Sequence, residues 1–81
     1  MRVTVRLFAR LRDIVGASEL VRETADGAAV GAVWAGLVAE YPELSPYEKS
    51  ISCAVNADYS RFTATVAEGD EVAFLPPVSG G

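Results

Sequence analysis

Residues 30–42 read VGAVWAGLVAEYP. Val30, Val33, Trp34, Leu37, Val38 and Tyr41 recur at i, i+3, i+4, i+7, i+8 and i+11, which places them in one apolar stripe along a helix. Pro42 closes the helix, because a proline disfavours helical geometry in the residue before it, and Asp26 is a candidate cap residue ahead of it. The remaining periodic stretches alternate in twos. A single long helix with such a stripe must cover one face of a sheet, so the chain reads as α+β.

Upstream of the helix, Val3, Val5 and Leu7 alternate with Thr4, Arg6 and Phe8. This is a strand with its Val/Leu face inward, and Phe8 falls with the polar set. Residues 10–17, RLRDIVGA, form a short helical turn stopped by Gly16, and 18–25, SELVRETA, form the return strand. Downstream, 45–50 (SPYEKS) is a loop. Residues 51–60 (ISCAVNADYS) are a strand with Ile51, Cys53 and Val55 inward, ending in an Asn-Ala-Asp turn. RFTATV (61–66) adds a short strand, EGDE (68–71) turns, and EVAFL (71–75) is the last strand with Val72 and Phe74 inward. Pro76 and Pro77 end sheet pairing, since neither has an amide donor. This order predicts one domain over residues 1–81: a mixed sheet of four to five strands with one main helix on one face. It suits the ubiquitin-like β-grasp, whose first and last strands lie parallel at the sheet centre. Residues 76–81 are expected to be a flexible tail.

Composition excludes several functions. The chain is 51% hydrophobic and 22% charged, a globular balance, and its net charge of −4 argues against nucleic acid or an anionic membrane as partner. Arg2, Arg6 and Arg10 punctuate a start without the apolar run of a signal peptide, and no stretch approaches a membrane span. A cytoplasmic location is expected. Histidine is absent, which removes Ser–His and Cys–His catalysis and the commonest metal ligand, and no metal site is expected. The single cysteine, Cys53, lies on the inward parity and reads as a small buried hydrophobe.

Attention then falls on residues 76–81, PPVSGG. Gly80 and Gly81 lack a β-carbon and can pass a narrow tunnel. Pro76 and Pro77 stiffen the exit from the sheet, with Val78 and Ser79 between the two pairs. Extended, the six residues reach up to about 20 Å, enough to enter a partner's active site. Phe8 and Leu75 lie on the outward parity of the first and last strands, and Tyr59 at the end of the third. If those strands adjoin, the three form an apolar patch beside the tail, the mark of a partner surface.

RLFARLRDIVG (6–16), AVNAD (54–58), GDEVAFLPPVSGG (69–81) and the Gly-Gly ending together resemble the MoaD/ThiS family of ubiquitin-like β-grasp sulfur carriers, and within it the small subunits of molybdopterin synthases. The similarity runs the length of the chain, with GDEVAFLPPVSGG its most specific part. Ala28-Ala29-Val30 departs from the family, which often has a threonine cap before the valine.

The resemblance implies a mechanism. An ATP-using adenylyltransferase of the ubiquitin-activating type would convert the Gly81 carboxylate to an acyl-adenylate. Sulfur from a sulfurtransferase or cysteine desulfurase would leave a thiocarboxylate at Gly81. Inside the large subunit of a heterotetrameric molybdopterin synthase, that sulfur would pass to cyclic pyranopterin monophosphate. The resemblance implies no bound cofactor, ATP being used by the activating enzyme, and puts the catalytic side chains on the partners. It also implies that Pro76 to Gly80 thread the partner's active site, that Phe8, Tyr59 and Leu75 dock both partners, and that Arg12 contacts the activating enzyme. Three other readings share these residues: a carrier for thiamine thiazole or cysteine synthesis, a ubiquitin-like protein modifier, and an interaction domain with an inert tail.

Overall fold

β1 (Arg2–Leu7) lies at the middle of the sheet because Val3, Val5 and Leu7 are all but fully buried while Thr4 and Arg6 face the other way. The computed structural model describes residues 1–77. After β1 come α1 (Ala9–Val15), β2 (Glu19–Glu23), α2 (Val30–Glu40), a 3-10 helix (Pro42–Tyr47), β3 (Ser52–Val55), β4 (Asp58–Ser60) and β5 (Glu71–Leu75). The sheet order is β2-β1-β5-β3-β4. β1 and β5 pair in parallel, from Thr4 opposite Glu71 to Leu7 opposite Phe74, and the other pairs are antiparallel. The first and last strands thus lie side by side at the centre, as the order of elements predicts for a β-grasp.

The core forms where α2 lies on the sheet. Val30, Val33, Trp34 and Leu37 are buried against Val3, Val5, Leu7, Cys53, Val72 and Phe74. Each such side chain contributes about 1.5–3 kcal/mol when removed from water. The Trp34 and Phe74 rings are 5.0 Å apart and tilted, and Phe62 stacks near-parallel on Phe74 at 6.3 Å. Leu11 from α1 and Leu44 from the 3-10 helix close the ends of the core, both fully buried. No group of histidine, cysteine, aspartate or glutamate side chains placed to hold a metal occurs among the described residues. No helix among them is long and apolar enough to cross a membrane.

Five local expectations are corrected. Asp26 does not cap α2. The N-cap is Ala29, with no side-chain cap, and the Asp26 carboxylate instead stands 3.4 Å from the Met1 amine. The cap is supplied by tertiary backbone: Val30 N donates to Ala64 O and Gly31 N to Phe62 O, both at 2.9 Å. Residues 61–66 are therefore a helix-capping crossing rather than a strand, and their one ladder contact is an isolated bridge from Thr65 to Ala29. Residues 45–50 begin inside the 3-10 helix, because Pro42 both ends α2 and opens that turn. Phe8 has left the strand, which ends at Leu7, and occupies the N-cap of α1. Residues 51–60 form a hairpin rather than one strand, which moves Tyr59 to β4, and Val55 is only half-buried.

Candidate functional site

Helix packing covers one face of the sheet and leaves the other open. Register places Arg6 beside Ala73, Ala73 beside Ala54, and Ala54 beside Tyr59, so these four make a row across β1, β5, β3 and β4 on the open face. Leu75, opposite Ser52, lies on the same face one row nearer the end of β5. Because β1 and β5 run parallel, Phe8 and Leu75 come out at the same end of the sheet. Pro76 and Pro77, half-buried and exposed, continue from there.

The structure thus brings together three of the residues chosen from sequence. Phe8 is 38% exposed and Tyr59 79% exposed, and Leu75 is half-buried between them. Tyr59 stands two strands from Leu75, about 10 Å at the usual strand spacing. Small side chains lie between them, Ala54 and Ala73 with Ser52 opposite Leu75, so the two aromatic residues flank a face of small residues. Arg12 is exposed on α1, four residues beyond Phe8 in the chain. Its guanidinium reaches Asp13 at 4.0 Å. Val78, Ser79, Gly80 and Gly81 lie outside the described residues.

Sequence reasoning missed Arg6, Ala54 and Ala73 as parts of this face. It also missed Val21, 61% exposed on β2 and opposite Thr4. The parity of each strand held the signal, but only the strand order joins the residues into one surface. The Arg6 guanidinium carbon is 5.6 Å from the Phe8 ring centre, and Nη1 is 4.0 Å from a Glu71 carboxylate oxygen. The Arg6 Nε is out of solvent and has no hydrogen-bond acceptor among the described residues.

At the opposite end of β5 the motif residues hold one another. Asn56 donates from Nδ2 to Asp70 at 3.0 Å, and its Oδ1 accepts from Glu71 N at 2.9 Å. The second Asp70 oxygen accepts from Ala67 N at 2.8 Å. These bonds, Asn56 foremost, hold the Asp70 carboxyl below its ordinary range. The asparagine of AVNAD and the aspartate of GDEVAFL are thus structural partners that fix where β5 starts. Burial pushes the Cys53 thiol up, and its Sγ donates to Ser60 O at 3.2 Å, so it is held as a thiol in the core. The described residues present an open, partly apolar sheet face beside the end of β5, with no nucleophile beside a base among them.

Residues 5–81 match the model of the ThiS family. The chain belongs to the ThiS family. This ThiS-family chain is 36% identical to the molybdopterin synthase sulfur carrier subunit of Chlamydomonas reinhardtii, over 100% of both chains. It is 33% identical to the protein of the same name from Escherichia coli, over 98% of this chain and 99% of that one. Among solved structures, the small archaeal modifier protein 1 of Methanosarcina acetivorans superposes with a TM-score of 0.81 at 33% identity, covering 99% of this chain and 96% of the other. The fold is the ubiquitin-like β-grasp of these proteins.

Proposed function

We propose that this chain is the sulfur carrier subunit of a molybdopterin synthase, working in the cytoplasm through the carboxylate of Gly81. The observation that carries the reading is the full-length similarity to proteins of that name, which includes the tail sequence.

A carboxylate is a poor electrophile, being negative and resonance-stabilised. Attack on the α-phosphorus of ATP in a ubiquitin-activating-type adenylyltransferase releases pyrophosphate and leaves an acyl-adenylate. A persulfide from a sulfurtransferase or cysteine desulfurase displaces AMP, and cleavage of the S–S bond by a thiol leaves the thiocarboxylate. Held in the large subunit, this sulfur attacks cyclic pyranopterin monophosphate to give a thioester joining Gly81 to the pterin. Water then cleaves its acyl C–S bond, leaving the sulfur on the pterin and returning Gly81 as a carboxylate. The chain contributes no catalytic side chain. It contributes the face of Phe8, Leu75 and Tyr59 for docking, Arg12 for the activating enzyme, and a stiff exit through Pro76 and Pro77. Val78, Ser79 and Gly80 thread the partner.

Intact mass of the chain purified from cells tests the carrier state: a gain equal to one oxygen replaced by sulfur is expected. Thiocarboxylated chain mixed with the large subunit and cyclic pyranopterin monophosphate should then yield molybdopterin without ATP, since ATP acts only in activation. No product with the large subunit, but sulfur accepted by a thiazole- or cysteine-forming enzyme, would keep the tail chemistry and overturn the pathway. The likeness to the archaeal modifier favours one second reading, isopeptide attachment of Gly81 to lysines. Conjugates of this chain in cell extracts would reveal it.

A further inference from the structure

We propose that Arg6 sets partner choice on the open sheet face, selecting a protein whose apolar surface presents a carboxylate opposite it. The inference rests on the docking reading above and adds the chemistry of the partner surface.

The row through Arg6, Ala73, Ala54 and Tyr59 is uncharged except at Arg6. The acidic groups facing Arg6 are Glu71 on β5 and Glu19, its register neighbour on β2. Glu71 reaches it only at 4.0 Å, and no ion pair links it to Glu19. Its Nε is buried without an acceptor while 42% of the side chain remains exposed. Among the described residues the Nε hydrogen is therefore left without an acceptor. The Phe8 ring lies 5.6 Å from the cation, a contact that favours this placement of the guanidinium.

A wholly apolar partner would dehydrate this cation with only Glu71 at the limit of pairing, a penalty that breaks most such complexes. A carboxylate docked on the exposed guanidinium edge supplies paired, charge-assisted hydrogen bonds. The same residue thus attracts one class of partner and rejects another.

Titration calorimetry with the molybdopterin synthase large subunit, at low and high salt, tests this alongside thermal melts. Arg6→Leu should stay folded and bind about ten- to a hundred-fold more weakly, with most of the salt dependence gone. Arg6→Gln should behave likewise. Glu71→Gln should bind as tightly as the unmodified chain or more tightly, since it removes the internal competitor. Unchanged affinity and salt dependence in both Arg6 variants would overturn the proposal. So would a Glu71→Gln loss as large as that of Arg6→Leu, which would make the pair an internal brace. Phe8→Asp separates the two readings: if it leaves binding intact, the docking face itself is wrong and Arg6 falls with it.

Discussion

Ala57 is the residue with the clearest local conflict. The β3–β4 hairpin closes through Asn56 and Ala57 with φ of 50° and 72°, between paired Val55 and Asp58. Such a two-residue turn wants asparagine then glycine. Asparagine tolerates the left-handed region and alanine does not, so Ala57→Gly should stabilise the domain by about 1 kcal/mol. Denaturant unfolding checks this, and an unchanged midpoint would mean the turn is relaxed in solution. The Asn-Ala-Asp turn was legible in sequence because its residue types are turn formers. The Asn56–Asp70 pair was not, since nothing local links positions 14 apart. That pair has a pH consequence. A carboxyl whose folded value is lowered stabilises the fold above its ordinary range and loses that contribution as pH falls through the lowered value. Stability should drop on acidification below about pH 4, and Asn56→Ala should flatten that slope. Cys53, buried and raised, should resist thiol reagents at neutral pH until the chain unfolds.

Among the elements, β1 alternates the buried Val3, Val5 and Leu7 with Thr4 and Arg6 on the open face, and Phe8 follows just beyond its end at the start of α1. Val5 is fully buried and Phe8 is 38% exposed. Val5→Asp should unfold the domain by placing an unpaired charge in the core. Phe8→Asp should leave circular dichroism and melting nearly unchanged while partner binding is lost. The reverse outcome would mean the facing of β1 is inverted. The inward and outward sets of β1 and β5 were readable because strand parity is a local rule. The start of α2 was not. Sequence reading looks for a side chain before the helix, and Asp26 was the nearest candidate. The structure uses the carbonyls of Phe62 and Ala64 instead, so the caps come from a segment some thirty residues away. Gly31 belongs to this arrangement: a β-carbon there would press Phe62 O at 3.4 Å. A segment committed to capping has its carbonyls turned to the helix, which is why 61–66 could not also be a strand.

For the whole molecule, the carrier reading makes one sharp expectation. Deleting Gly80 and Gly81 should abolish sulfur transfer and leave the melting temperature unchanged, because the described core is complete by Leu75 and Pro76. A shift of several degrees would mean the tail packs on the body. Fold class followed from one helix and several alternating stretches, and the grouping of Phe8 with Leu75 at one end of the sheet followed once β1 and β5 were taken as neighbours. What sequence could not supply was lateral order, which turns parity into a surface and brings Arg6 to the apolar row.

The parallel pairing of β1 with β5 also governs when this protein can exist as a folded object during its synthesis. β1 is made first and β5 last, and each fills the other's inner edge, Thr4 to Leu7 against Glu71 to Phe74. Until β5 leaves the ribosome, β1 has only β2 beside it and α2 has half a sheet to lie on. Contacts that span nearly the whole described chain make loop closure the slow step and delay the domain until its end is made. Partners that read the open face would therefore ignore nascent chains, since Arg6, Ala73, Ala54 and Tyr59 form a row only after residue 75 is free. A chain interrupted before β5 would lack the strand that joins Arg6 to Ala54, and with it the row itself.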